Sequence, residues 1–528
     1  MRMMRVLARR LSSVACLLLA WLVASGHVGT NQVVFEGRAG GYPVRVLIEP
    51  PGVVPGQVPI LVRVLEGEAT RITVRAAQWN VGTKGAPPAE DAAKVPGDPG
   101  VWAHNLWIMT ANTYSVYVAV EGPLGNGVLV VPLQTTATRT LGMTRGMLVL
   151  LVVLGALLIA GVLTIVGAAT REAALPPGVV PSAAQRTRAR RFMVASAGGV
   201  AVLLLGGAAW WNAEAAAYGR RLYRPLAITT AVRTLDVDRV LSIAIVDDAW
   251  RANRLGALLP DHGKLMHLFL VSDPDHGVLA HLHPLRVHPD SFVTRIPPLP
   301  AGRYVLFGDL LFESGTQRTL VDTIEVPVAP VIPSEGGAAA AMSSSVAALT
   351  DADDAWRAVR AVPLGTAAVL PTGGTLQLTT DATVLRAQRD LRLSVIMREA
   401  DGTLSPTEPY LGMAGHAMVL RRDAQVFLHL HPMGTASMEA QAQLMRRERG
   451  DTVAPDAASR AATNEAAVAP RMTGMDHAAT MSSASTTSLA FPFAFPTAGA
   501  YRVFVQVKRR GVVETAAFDV EVPDASAR

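Results

Sequence analysis

His267-Leu268-Phe269-Leu270-Val271, leading to His281-Leu282-His283-Pro284, and His416-Ala417-Met418-Val419-Leu420, leading to His429-Leu430-His431-Pro432, are two copies of one pattern. The first histidine precedes the second by 14 residues in one copy and 13 in the other, and the copies lie 149 residues apart. Short apolar runs of this length, separated by turn residues, read as β-strands. In a strand, residues i and i+2 share a face, about 6.5–7 Å apart at Cα. His281 with His283, and His429 with His431, therefore point one way, while Leu282 and Leu430 turn to the other face. Two imidazoles at that spacing can converge on one ion. His267 or His416, on a strand able to pair alongside, supplies a third ligand.

The two copies differ in softness. In the second, Met418 shares a face with His416, and Met413 and Met433 lie near in sequence, so this site suits Cu(I). In the first, the nearest thioether is Met266, which a regular strand turns away from His267. His262, His276 and His288 are extra histidines there, so it reads as a nitrogen site for Cu(II) or zinc. The plainer reading of a lone His-Leu-His is two solvated imidazoles over one buried leucine. Repetition, with a third histidine at matched distance and a following proline, favours metal. Ten of the twelve histidines fall at or after residue 262, which concentrates this chemistry in the second half.

Around the repeat the chain reads as mainly β. Residues 27–140 form one expected β-sandwich, with the alternating run Tyr114-Ser115-Val116-Tyr117-Val118 on a half-buried strand. Residues 225–330 carry the first histidine module. Residues 365–528 carry the second, and 331–364, opening on an Ala/Ser/Gly/Pro-rich stretch, read as a linker. A turn followed by a tyrosine recurs at Asn112-Thr113-Tyr114, Gly302-Arg303-Tyr304 and Gly499-Ala500-Tyr501, which is how an immunoglobulin-type sandwich pins a corner. The expected fold is thus three Ig-like or cupredoxin-like sandwiches plus a two-helix transmembrane hairpin. One insertion separates the modules: His283 to Tyr304 is 21 residues, whereas His431 to Tyr501 is 70. The extra segment, 434–488, has no aromatic residue and reads as a flexible Met/His loop holding Met472, Met475, His477 and Met481.

Composition bounds the rest. The chain has 528 residues, half of them hydrophobic and 17% charged, with a mean hydropathy of +0.30, too apolar for a wholly soluble protein of this size. Residues 1–26 read as a signal peptide, and cleavage there would leave His27 first. Residues 147–168 and 192–211 are long enough to span a bilayer. Between them, in 169–191, lie Arg171, Arg186, Arg188, Arg190 and Arg191 against Glu172, which predicts a cytoplasmic loop. Both flanks, and so both histidine modules, are then expected on the periplasmic side of a bacterial inner (plasma) membrane. Of the net charge of +6, four arginines belong to the leader, and no basic patch remains to bind nucleic acid. The only cysteine, Cys16, lies in the leader, which excludes disulfides, zinc ribbons and iron–sulfur clusters and leaves methionine as the one sulfur ligand.

The stretch Gly263-Lys264-Leu265-Met266-His267-Leu268-Phe269, both His-Leu-His-Pro motifs and the Ala-Gly-x-Tyr turns resemble bacterial periplasmic FixH-like, YtkA-like and CopC-like β-sandwich proteins. The resemblance covers about 225–330 and 365–528. It implies copper handling and cytochrome oxidase assembly rather than catalysis, with a periplasmic copper donor or acceptor as partner. The chain departs from single-domain members in its two modules and its membrane hairpin. Two other functions stay open: an enzyme with a three-histidine metal centre, such as a cupin-like oxygenase, and an adhesion or scaffold protein that binds no metal.

Overall fold

The computed structural model describes residues 32–172, 175–176, 178–235, 238–328, 348–450 and 487–524. The expected leader with His27, most of the 331–350 stretch, and Met472, Met475, His477 and Met481 lie outside the described residues. The chain is mainly β, 45% strand against 20% helix, and most of the helix lies in two apolar spans. It divides into one unit of residues 1–136 and 224–528 and another of 137–223.

In the larger unit, the first stretch forms β1 Val33–Ala39, β2 Tyr42–Ile48, β3 Gly56–Val64, β4 Arg71–Gln78, β5 Glu90–Asp91, β6 Ala93–Val95, β7 Asp98–Ile108, β8 Asn112–Glu121 and β9 Gly127–Thr135. They make two antiparallel sheets, β1-β2-β3-β7-β6 and β5-β4-β8-β9. Alternate residues Val44, Val46 and Ile60 of one sheet and Val74, Val116 and Val118 of the other bury together in one core.

The stretch with the first histidine copy forms β10 Ile228–Leu235, β11 Asp238–Ile245, β12 His267–Ser272, β13 Val278–Leu282, β14 Leu285–His288, β15 Ser291–Ile296, β16 Gly302–Leu311 and β17 Gln317–Val326. The last stretch forms β18 Ala355–Ala358, β19 Val362–Pro363, β20 Ala367–Val369, β21 Thr375–Thr380, β22 Leu391–Arg398, β23 His416–Arg421, β24 Phe427–Leu430, β25 Leu489–Phe493, β26 Gly499–Arg509 and β27 Val512–Val522. Each histidine copy sits in a five-stranded sheet, β17-β16-β12-β13-β18 or β19-β27-β26-β23-β24. The registers correspond: His267 lies opposite Asp309 on β16, and His416 opposite Gln506 on β26. The three tyrosines act alike. The hydroxyls of Tyr114, Tyr304 and Tyr501 donate to the carbonyls of Thr110, Pro300 and Thr497, each four residues back, at 3.0, 2.9 and 2.7 Å.

Three expectations need correction. The expected linker 331–364 carries regular structure within its described residues, 348–364. Trp356 packs against the apolar core beside β12, so β18 joins β13 as an edge strand, and β19 then runs parallel to β27. The insertion 434–488 opens on an ordered helix, Met438–Glu448. Ser437 caps it by accepting from the amides of Glu439 and Ala440, while Ala440 and Leu444, one turn apart, bury the same face. The basic stretch 169–191, expected as a loop, is helical at both ends. In the smaller unit the spans are Arg145–Glu172 and Ala183–Arg221, 28 and 39 residues, both long and apolar enough to cross a membrane. A capping box between Ser182 and Gln185 starts the second helix before its apolar run, so Arg186, Arg188, Arg190 and Arg191 are helical. Of the span glycines Gly155, Gly161, Gly167, Gly198 and Gly206, Gly167 alone meets a neighbour, where an added Cβ would lie 2.7 Å from the Met193 sulfur.

Replacing Tyr501 by Phe removes the hydrogen bond to Thr497 and is expected to cost about 1 kcal/mol. A lower denaturant midpoint at unchanged slope checks it, and an unchanged midpoint would show that the corner bond contributes nothing.

Candidate metal centre

Strict alternation along β12, β13, β23 and β24 leads to an unusual result, because both faces of these strands are buried. Leu268, Leu270, Ala280 and Leu282 point into one core, and Ala417, Val419 and Leu430 into another. The opposite faces meet each other. Phe269, Val271, Leu279 and Phe307 from one sheet pack on Met418, Leu420, Phe427 and Phe504 from the other. Phe307 and Phe427 stack at 4.3 Å between centroids, 7° from parallel. Further along the same strands that layer turns from aromatic to imidazole. His267, His281, His283, His416 and His431 are each at most 3% exposed. The solvated-edge reading of His-Leu-His therefore fails.

Seven rings gather there: His262, His267, His281, His283, His416, His429 and His431. Donor atoms of His267, His281 and His283 lie within 4.8 Å of one another, and so do those of His262, His416 and His431. Hydrogen bonding determines which nitrogens are left as acceptors. His267 Nε2 is 3.1 Å from the Asp261 carbonyl and His281 Nδ1 is 3.0 Å from the Gln506 amide oxygen, so both carry the proton. His267 Nδ1 and His281 Nε2 then face each other at 3.1 Å with a lone pair apiece. His283 Nδ1 donates to Asp354 Oδ1 at 3.0 Å and its Nε2 has no hydrogen-bond partner. A ligating imidazole held through its other nitrogen by a carboxylate, amide or carbonyl is the usual outer support of a metal site. In the second group neither ring nitrogen of His416 or His431 is hydrogen-bonded, and beside it His429 Nε2 is also without a partner. Each buried polar atom left so costs roughly 1–3 kcal/mol, which a bound cation would recover.

The electrostatics suit a cation. Burial drives every one of these imidazoles below its ordinary pKa, His267 to about 3, so they are neutral ligands at neutral pH. Carboxylates surround them. Asp354 and Asp351 lie beside His283, where burial lifts Asp354 to about 7. Asp261 and Glu439 lie 3.3 Å from the His262 nitrogens, and burial, then the Asp261 charge, lifts Glu439 to about 8. Asp309 Oδ2 is 3.9 Å from His429 Nδ1 and is lifted by burial to about 7. Lys264 offsets Asp351 at 2.6 Å and Asp353 at 3.3 Å.

Against the expected ligands, the outcome is mixed. The six repeat histidines come together, but in one cluster rather than two separate modules: His281 and His416 are 6.2 Å apart between centroids, and His267 and His429 5.2 Å. Face-to-face packing of the sheets, invisible to sequence spacing, is the reason. His262, expected only as an extra histidine, completes the second group, while His429 belongs to neither. The three methionines occupy packing positions. Met418 lies in the aromatic layer, Met433 packs on the core of the first stretch, and Met413 is buried in a two-residue turn with Tyr410. His276 lies elsewhere, its carbonyl accepting from Arg502 at 2.7 Å, and His288 is exposed. The carboxylates are not legible from the motifs, since Asp261 and Glu439, six residues before His267 and eight after His431, stand at no ligand spacing within them, and Asp309, Asp351 and Asp354 are remote in sequence. Asp309 and Gln506 were findable: each is the fifth residue after its corner tyrosine, a polar residue in an apolar run.

A cavity of about 90 Å3 reaches His267, His429 and His431. One family profile, Domain of unknown function (DUF8832), matches residues 368–454 and 466–524. No curated protein matches the chain. Among solved structures, the chain is similar to dimeric latent PorU from Porphyromonas gingivalis, at 6% identity and a TM-score of 0.15, over 94% of this chain and 34% of that one. The chain thus spans about a third of the length of PorU. It is also similar to a putative membrane anchored protein from Corynebacterium diphtheriae, at 9% identity and 0.14, over 92% and 93% of the two chains. The ICAM-5 D1–D4 ectodomain fragment follows at 9% and 0.15, over 91% and 83%. Likenesses this distant carry nothing to the centre, which rests on its own chemistry.

Diethyl pyrocarbonate is expected to modify His288 readily in the folded protein and the seven clustered histidines only after unfolding. Peptide mass spectrometry checks this, and early modification of His281 or His431 would contradict their burial.

Proposed function

We propose that the chain is a membrane-anchored, extracytoplasmic metal-binding protein, and that the histidine cluster is its metal centre. The carrying observation is the buried convergence of imidazole nitrogens without hydrogen-bond partners, with the rings of the first group held in place through their opposite nitrogens. His267, His281 and His283 would hold one ion and His262, His416 and His431 another. Imidazole sets of this kind favour copper, with zinc as the alternative, and supply binding and, for copper, redox chemistry. The thioethers lie in packing positions, so nitrogen rather than sulfur dominates both groups.

Buffering or delivery of copper fits better than catalysis on an organic substrate. The cavity reaching the histidines, about 90 Å3, is well under the roughly 300–1,000 Å3 of ordinary ligand pockets. Three Ig-like or cupredoxin-like sandwiches, one per pair of sheets, account for the three large cores and the three tyrosine corners. The resemblance to FixH-like, YtkA-like and CopC-like proteins points the same way, toward a periplasmic copper donor or acceptor as partner. The arginines between the apolar spans favour a cytoplasmic turn, and so a periplasmic site on a bacterial inner membrane.

Full-length protein purified in detergent, loaded with copper or zinc and desalted, is expected to retain stoichiometric metal by elemental analysis. Replacing His281, His283, His429 and His431 by Ala should abolish retention while the β-sheet circular dichroism persists. Absence of stoichiometric metal in the parent protein, or unchanged retention in the variant, would sink the proposal.

A further inference from the structure

We infer that the two three-histidine groups hold a coupled pair of ions, with His429 shared between them as an imidazolate whose ring proton leaves on metal binding toward Asp309 Oδ2, 3.9 Å from its Nδ1; this rests on the metal-binding reading above. The ring of His429 lies 5.3 Å from His416 and 4.5 Å from His431 in one group, and 5.2 Å from His267 and 5.6 Å from His281 in the other. No other imidazole of the cluster stands outside both groups while touching two members of each. Its Nε2 is buried without a hydrogen-bond partner. The groups also approach directly, His262 to His267 at 6.3 Å and His281 to His416 at 6.2 Å. These are ring-centroid distances, and they put the two groups side by side, so that two ions held in them would be neighbours.

Two neighbouring cations repel, so such a pair needs negative charge around it, and the fold places carboxyl groups on each side whose protons bound cations would displace. Asp351 and Asp354 flank the first group, Asp261 and Glu439 the second, and Asp309 stands beside His429. The support crosses between the repeats. Gln506, from the second, holds His281 of the first, and Asp309, from the first, lies beside His429 of the second. His281 and His429 are equivalent positions, as are Gln506 and Asp309, so each half of the cluster has a polar neighbour from the opposite half, hydrogen-bonded at His281 and 3.9 Å away at His429. Neither half is complete alone.

Cupric sulfate added to the full-length protein in detergent tests this. The expected result is two Cu(II) per chain, an electron paramagnetic resonance intensity well below two spins, and a half-field transition. His283→Ala should retain one ion and show the signal of isolated Cu(II). His429→Gln should retain two ions, both surrendered to a chelator at lower concentration. Two ions with full, uncoupled intensity would overturn the pairing and leave the metal-binding reading intact. Weakening of only one ion in His429→Gln would overturn the sharing. No retained copper, and no retained zinc in a parallel loading, would instead defeat the metal-binding reading itself. The parent spectrum decides the pairing whether or not either variant folds.

Discussion

Two β-sheets meet face to face through strands already buried on their other side. That contact governs the rest. A layer between two sheets has no water to satisfy polar groups, so it is ordinarily filled with apolar side chains. Here one part is filled so, by Phe269, Phe307, Phe427 and Phe504, and the adjoining part by imidazoles. Burial keeps those imidazoles uncharged, which removes the cost of buried charge but leaves nitrogens unpaired. An arrangement costly as a core is what the proposed metal centre would use.

The repeat is symmetric in backbone and unequal in chemistry. Before each histidine strand the chain makes the same turn, with φ of 51° and 80° at His262 and Gly263, and 51° and 75° at Leu411 and Gly412. Both central residues are left-handed, which is why glycine takes the second place in each. On this common frame Asp261 matches Tyr410, His262 matches Leu411, and Lys264 matches Met413. The first copy's turn thus contributes charge and a seventh imidazole, whereas the second's contributes an aromatic ring whose hydroxyl donates to the Asp353 carbonyl at 3.0 Å. Segments outside the repeat add the remaining carboxylates: Asp351 and Asp354 lead into β18, and Glu439 sits in the first turn of the Met438–Glu448 helix.

The cluster is tied to the first β-stretch through the turn after the second motif. Glu36 N–H donates to the Met433 carbonyl at 2.8 Å and Thr435 N–H to that of Val34 at 2.9 Å. Gly434, at φ +123°, comes so near the Val34 carbonyl that an added Cβ would lie 1.9 Å from its oxygen. Gln441, on the helix carrying Glu439, donates to the Val130 carbonyl at 2.6 Å. A shift of the first stretch would therefore pull on His431 and Glu439, which makes its docking part of the centre's support.

Local pattern was enough to read the β character, the duplicated strands, the tyrosine corners, the two apolar helices and six of the seven clustered histidines as candidates. Each of these depends on neighbours within a few residues or on repetition along the chain, and both are visible in sequence. Packing of whole sheets decided the rest. It joined two expected sites into one cluster, brought in His262, Asp354 and Glu439, turned Met418 and Met433 into packing residues, and gave the far end of the linker an edge-strand role. Periodicity shows which face a side chain takes, but not what that face will meet. For strands buried on both sides, the second partner is chosen only when the sheets come together.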